Sequence, residues 1–134
     1  MPDSLKLHFL NERLNVYRFE PGIDLPRTIW DKTFCSVTKV ENEVSVVVSG
    51  DLDPEGIPSN TEYCSDDWAA FFVEGPLPHD MVGVMAKLSK CIADIGCSIF
   101  AIATFDTDYI LVPGNKLDTV KSALVQSGYT IVKD

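Results

Sequence analysis

The sequence lacks the features by which membrane-spanning and exported proteins are recognised. None of its apolar runs reaches the roughly 18 residues that a membrane-spanning helix needs. Residues 1–4 also lack the basic segment followed by an apolar one that marks a signal peptide. We therefore expect a protein that acts in the cytoplasm and has no membrane partner.

Cysteine and histidine are too few and too scattered for a metal centre. The four cysteines and two histidines include no CxxC pair, and a chain in a reducing compartment needs no disulfide framework. The short motifs of serine hydrolases, zinc peptidases and phosphate-binding loops are missing as well. We accordingly expect no catalytic residue, no metal and no cofactor, and a protein that is not an enzyme.

Positive charge is missing from a long central segment. No Lys or Arg occurs between Lys39 and Lys87, acidic residues are frequent there, and the whole chain carries a formal net charge of −9. Such a segment would repel a nucleic-acid backbone, so we expect no nucleic-acid partner. Two interpretations of the acidic segment stay open, a solvated surface and a docking face for a basic partner.

The residues that are present follow the pattern of a small mixed α+β protein. Apolar residues alternate over residues 5–10 and 14–19, which predicts a hairpin. A second hairpin is predicted over residues 34–40 and 44–48, because β-branched residues are frequent in both runs and polar residues separate them.

The second half of the chain has the clearer order, β-α-β-β-α-β over residues 68–132. Its first helix is predicted to be capped by Asp80 and to end at Gly96. Its second helix is predicted to be capped by Asn115 and to end at Gly128. This order predicts a ferredoxin-like α+β fold, with an antiparallel sheet and both helices on one face.

An internal similarity suggests two related modules. Residues 36–48 and 101–112 each combine a strand, a Thr, a short acidic turn and an apolar strand, and residues 49–67 between them are rich in turn-forming types. We predict a boundary near residue 60. Residues 1–60 would form an incomplete module, since they lack periodic helices, and residues 61–134 a complete one.

Polar groups near the first helix suggest a small-molecule site. Free backbone N–H groups at a helix start attract a carboxylate, and Gly83 in the first turn fits either a close backbone approach or tight packing. The strand end at Thr104 and Phe105, followed by Asp108, offers a hydroxyl, carbonyls and a carboxylate that suit an ammonium group. A carboxylate site beside an ammonium site predicts an amino acid as ligand.

These residues carry a family resemblance. The βαββαβ unit, the Gly-Pro-Leu loop at residues 75–77 and the segment 98–113 resemble an ACT domain. The particular similarity is to the CASTOR arginine sensors and their short bacterial relatives. It implies two tandem ACT folds and a sensor without catalysis, in which the ligand lies between two ACT units. By motif position, the implied ligand-binding residues are Met81, Gly83, Val84, Ser98, Ile99, Thr104, Phe105 and Asp108.

The resemblance also implies a homodimer and a restricted ligand. The arginine sensors hold four ACT units and this chain about two, so a dimer would place Ser98 and Ile99 of one chain opposite Gly83 and Asp108 of the other. The arginine sensors have a Glu where this chain has Met81. A buried guanidinium without a carboxylate is costly, so we expect a ligand other than arginine.

A second class of function stays open at this stage. Ferredoxin-like folds host many activities, and the chain would also suit a protein-interaction or structural module that binds no ligand. The polar set of Ser98, Thr104 and Asp108 beside a helix start favours the sensor, because a structural module has no need of it.

Overall fold

The computed structural model describes residues 5–52, 62–74 and 83–132. The chain forms two compact units. We call Met1–Asn11 with Ala69–Asp134 the helix-bearing unit, and Glu12–Trp68 the hairpin unit. The secondary structure of the described chain follows in order: β1 (Lys6–Phe9), β2 (Leu14–Phe19), a 3₁₀ turn (Arg27–Asp31), β3 (Cys35–Lys39), β4 (Val44–Ser49), β5 (Glu62–Val73), α1 (Val84–Asp94), β6 (Phe100–Ala103), β7 (Asp108–Pro113), a 3₁₀ turn (Gly114–Lys116), α2 (Leu117–Gln126) and β8 (Thr130–Val132).

The helix-bearing unit has the predicted order of elements. β5, α1, β6, β7, α2 and β8 follow one another as β-α-β-β-α-β. β6 pairs with β7 antiparallel, and β7 pairs with β5. The mixed α+β, ferredoxin-like fold class that the sequence predicts is confirmed.

The predicted hairpin between the first two strands is wrong. β1 pairs antiparallel with β5, where Leu7 faces Val73, and parallel with β8, where Leu7 faces Ile131. It therefore lies between the first and last strands of the βαββαβ unit. This position leaves Leu7 0% exposed within the core of that unit. Alternation along residues 5–10 predicts a strand with one buried face, but it does not identify the partner strand.

One apolar layer joins the sheet of this unit to both helices. The inward residues of β5 recur at every second position, as a strand requires, and those of each helix recur four apart. The buried members are Leu7, Ala69, Phe71, Val73, Leu88, Ile92, Ile110, Val112, Val120 and Leu124. Both helices thus cover the same sheet face, as predicted. No helix of the described chain has the length and apolar run that a bilayer crossing requires.

The two helices end as predicted, whereas the predicted cap of α2 is wrong. Gly96, at φ +74°, donates its N–H to Ala93 while Cys97 donates to Ile92, which satisfies the last carbonyls of α1. Asn115 does not cap α2, because it lies within the 3₁₀ turn, and Lys116 precedes the helix without a side-chain cap bond. The proposed cap Asp80 lies outside the described residues.

The hairpin unit is an antiparallel arrangement of β3, β4, β2 and the first part of β5. The predicted second hairpin is confirmed by the pairing of Val37 with Val46. Its core forms on one side of these strands and includes the 3₁₀ residue Ile29, which is 0% exposed. Within the described residues of this unit the longer helices of a full βαββαβ module are missing.

Candidate functional site

The turn between β6 and β7 carries three of the predicted ligand-binding residues. The Thr104 N–H donates to the Thr107 carbonyl at 2.8 Å, and the Thr104 hydroxyl donates to the same carbonyl at 2.9 Å. The Thr107 N–H in turn donates to the Thr104 Oγ1 at 3.2 Å. The side chain of Thr104 is therefore used to close the turn, which gives the turn a defined shape.

The other two predicted residues of this turn differ in exposure. Phe105 is 93% exposed, the highest value among the large apolar residues that the structure describes as exposed. Asp108 is half-buried and opens β7 opposite Ala103. An apolar ring and a carboxylate thus stand on one short, hydrogen-bonded turn, so they can contact different parts of one small molecule.

The start of α1 carries two more predicted residues, Gly83 and Val84. Gly83 has φ +85°, and a Cβ built there would meet nothing within 4 Å. Glycine is therefore required by the left-handed backbone and not by crowding. Val84 is partly buried against the core. The proposed contact Met81 lies outside the described residues.

The start of α1 also leaves backbone donors without helical partners. The first intrahelical bond runs from Lys87 N–H to the Gly83 carbonyl, so the N–H groups of residues 84–86 precede it. α1 has no side-chain cap bond, and its first turn contains no acidic residue. The positive end of the helix dipole is therefore not offset by a side chain of that turn, which favours an anionic group there.

The turn and the helix start belong to the same end of the helix-bearing unit. The Thr107 hydroxyl donates to the Val73 carbonyl at 2.9 Å, so the β6–β7 turn lies against the last residue of β5. The other end of α1 connects through residues 95–99 to the start of β6, and β6 ends at the turn, so the start of α1 is directed toward the same end of the sheet as the turn. The groups suited to a carboxylate and to an ammonium are thus at one end of the sheet.

The remaining predicted residues lie at the opposite end of α1. Ser98 is exposed and Ile99 is partly buried against the core, both in the connection from α1 to β6. α1 has 11 residues and is therefore about 16 Å long. Within one chain, Ser98 and Ile99 are not brought together with Gly83.

Two features near the site were not predicted from the sequence. The first is the Thr107 bond to β5. The second is a hydrogen bond between His8 Nε2 and Glu74 Oε1 at 2.9 Å, between residues 66 positions apart. Both depend on β1 and β7 flanking β5, which no local pattern indicates.

Two of the described cysteines lie in surroundings that disfavour the thiolate form. Burial raises the pKa of the Cys97 thiol, and the nearby Lys116 offsets part of this shift. Burial also raises the pKa of Cys35. A thiol with a raised pKa is less often the reactive thiolate. Across the described residues, no three His, Cys, Asp or Glu side chains are grouped so as to hold a metal ion.

Structures of known proteins resemble the whole chain. It is similar to a protein from Agobacterium tumefaciens, at 25% identity and a TM-score of 0.84, over 99% of this chain and 96% of that one. It also resembles a protein of unknown function from Vibrio cholerae, at 15% identity and a TM-score of 0.67, over 92% and 89%. A third similar structure is the ligand-free regulatory subunit of aspartate kinase from Thermus thermophilus, at 17% identity and a TM-score of 0.61, over 90% and 96%.

The amino-acid sequence matches a known family over a shorter part of the chain than the structures do. A comparison with the sequences of curated proteins finds none that matches. Residues 63–126 match the family model of the ACT domain. This segment contains β5 through α2, and so includes the helix start and the β6–β7 turn described above. An ACT domain is thus detected over residues 63–126, and the fold of the chain is similar to that of the solved structures above.

Proposed function

We propose that this chain is a non-catalytic regulatory module of the cytoplasm that binds an amino acid between ACT units, across a homodimer interface. Within the ACT proteins, we place it with the CASTOR-like group. The observation that carries the proposal is that the start of α1 and the β6–β7 turn are both directed to one end of the sheet. An uncapped helix start that follows Gly83 and a turn that presents Asp108 suit the two charged groups of an amino acid.

A second copy would complete the site. Ser98 and Ile99 lie at the far end of α1, about 16 Å along the helix, so one chain alone does not bring them to Gly83 and Asp108. In a symmetric dimer, the same surface of each chain meets its equivalent, and each chain can contribute Ser98 and Ile99 to the site of the other.

The two modules that we propose are residues 1–60 and residues 61–134. β1 belongs to the first of these in sequence, yet it pairs with β5 and β8 of the second. The first module thus adds a strand to the second. A regulatory role is supported by the similarity to the regulatory subunit of aspartate kinase.

A thermal-shift screen against the twenty amino acids tests the proposal. A ligand that binds only the folded state stabilises it by RT ln(1 + [L]/Kd), which is about 2.7 kcal/mol at 100 times Kd. We expect one amino acid or a few similar ones to raise the melting temperature selectively. Because Met81 replaces the Glu of the arginine sensors, we expect arginine to give no shift.

A matched pair of variants locates the site. Asp108→Asn removes the carboxylate proposed to meet the ammonium group and should abolish the shift. Asp106→Asn makes the same change two positions earlier, at an exposed residue of the same turn, and should leave it intact. A shift that survives Asp108→Asn would place the ligand elsewhere.

One observation favours the alternative of a protein-interaction module without a small ligand. Phe105 is 93% exposed and Trp30 is 68% exposed, and aromatic residues are enriched where proteins bind one another. If none of the twenty amino acids stabilises the protein at millimolar concentration, this alternative replaces the sensor.

A further inference from the structure

Thr107 uses each of its polar groups to fix the β6–β7 turn. Its N–H donates to the Thr104 Oγ1 at 3.2 Å. Its carbonyl accepts the Thr104 N–H at 2.8 Å and the Thr104 hydroxyl at 2.9 Å. Its own hydroxyl reaches out of the turn and donates to the Val73 carbonyl at 2.9 Å. The backbone groups of Thr107 therefore close the turn, and its side chain attaches the closed turn to β5.

Val73 is a fixed point for this attachment. Its side chain is 1% exposed and belongs to the core of the helix-bearing unit. Its backbone is held in the sheet, where Val73 is the register partner of Leu7 on β1. Thr107 is itself half-buried, so water competes less for its hydroxyl bond than it would at an exposed residue. The bond thus fixes the distance between the turn and β5.

The position of Asp108 depends on this attachment. Asp108 follows Thr107 directly and opens β7, where Ala103 of β6 is its register partner. The chain enters β7 from the turn, whose residues Phe105 and Asp106 are exposed. The bonds of Thr107 therefore order the backbone that leads into Asp108.

An ordered backbone at Asp108 favours binding. The groups of a binding site have to be held within about 0.5 Å of the productive geometry. Loops that become ordered only when the ligand binds lower the affinity by the entropy that they lose. Without its hydroxyl, Thr107 would still close the turn through its backbone, but the closed turn would lose its attachment to β5. The Asp108 carboxylate would then be less well placed relative to the start of α1.

We propose that Thr107 is a positioning residue of the amino-acid site, which raises the affinity for the ligand by holding the turn that presents Asp108. Its hydroxyl contacts β5 and not the ligand. The effect on affinity rests on the function proposed above, whereas the ordering of the turn by Thr107 does not.

Calorimetric titration of the amino acid found in the screen tests the proposal. Thr107→Val keeps the shape of the side chain and removes the hydroxyl, so we expect Kd to rise about three- to tenfold, which corresponds to one hydrogen bond. Thr107→Ser keeps the hydroxyl and should restore Kd to within about twofold of the wild-type value. A Thr107→Val protein that binds as tightly as the wild type would overturn the proposal, as would a Thr107→Ser protein that binds as weakly as Thr107→Val.

A matched control separates positioning from a general loss of stability. Asn15→Ala removes the hydrogen bonds of a buried side chain in the hairpin unit, and should destabilise the protein without changing Kd. A rise in Kd in Asn15→Ala equal to that in Thr107→Val would show that destabilisation alone weakens binding. That result would overturn a positioning role for Thr107.

Amide hydrogen exchange in the free protein distinguishes a failure of this inference from a failure of the proposed function. The Thr104 N–H donates to the Thr107 carbonyl, and should exchange faster in Thr107→Val than in the wild type and in Thr107→Ser, as measured by nuclear magnetic resonance. An unchanged exchange rate would overturn the ordering of the turn by the hydroxyl. Faster exchange with an unchanged Kd would overturn the effect on affinity and leave the proposed function standing. If no amino acid binds, the proposed function and the effect on affinity both fail, and the exchange rates alone decide whether Thr107 orders the turn.

Discussion

At the scale of single residues, the buried side chain of Asn15 links three segments of the hairpin unit by hydrogen bonds. Asn15 is 6% exposed, and its amide nitrogen donates to the Gly50 carbonyl at 2.7 Å and to Asp51 at 3.0 Å. Its amide oxygen accepts the Asp67 N–H at 3.0 Å. Asp67 has the unusual φ of +61°, and Arg13 pairs with its carboxylate at 2.7 Å. Asn15 thus stabilises a strained backbone position.

Asn15→Ala is expected to lower the free energy of unfolding by about 1–3 kcal/mol, because it removes the hydrogen bonds of a buried side chain to Gly50, Asp51 and Asp67. Urea denaturation measures the change. Asn42→Ala, at an exposed turn residue, is the matched control and should have an effect within about 0.5 kcal/mol. Equal effects of the two substitutions would show that the Asn15 bonds do not contribute to stability.

Gly83 gives a second prediction at this scale. Because a Cβ meets nothing within 4 Å there, Gly83→Ala is expected to cost only the conformational strain of φ +85°, about 1–2 kcal/mol. Thermal or urea unfolding measures it. Gly83→Asn should cost less, because Asn tolerates the left-handed region better. An Asn variant as unstable as the Ala variant would point to crowding in place of strain.

At the scale of elements, the Thr107 hydroxyl joins the β6–β7 turn to the end of β5 by a hydrogen bond. Thr107→Val keeps the shape of the side chain but removes its bond to the Val73 carbonyl, and should cost about 0.5–1.5 kcal/mol. Thr38→Val, on the exposed part of β3, is the control and should be close to neutral. A urea series on both variants decides whether the turn is anchored as described.

The elements also show which parts of the fold the sequence could predict. The order of residues 68–132 was predictable because apolar residues there follow the helical and strand periods, and glycines end both helices. The partner of β1 was not, because alternation tells which face is buried and says nothing about which strand lies beside it. Asn115 is a residue type that often caps helices, but it lies within a 3₁₀ turn, and α2 begins only after that turn.

The residue types of the candidate site could be predicted from the sequence, but the hydrogen bonds of their side chains could not. The types of Gly83, Thr104 and Asp108 predict binding groups, and the turn and helix start that carry them are present. The use of the Thr104 hydroxyl within its own turn follows from backbone geometry that the sequence does not specify. The ligand-binding roles of the eight residues stay predictions.

At the scale of the whole molecule, a ligand site shared between two chains requires a dimer. Sedimentation at micromolar concentration should show a species of twice the chain mass of 14.8 kDa. A monomer at that concentration would contradict a site shared between two copies. Binding of the amino acid found in the screen should strengthen the dimer, because a ligand that contacts both copies favours the associated state.

Mixing two inactive variants tests the shared site most directly. Ser98→Arg blocks the contribution proposed to come from one chain, and Asp108→Asn removes the contribution of the other. Each variant alone should fail to bind the amino acid found in the screen. After unfolding and refolding together in equal amounts, mixed dimers contain one intact site each, so calorimetry should recover about a quarter of the wild-type sites. No recovery from a mixture shown to contain mixed dimers would contradict a site formed between two chains.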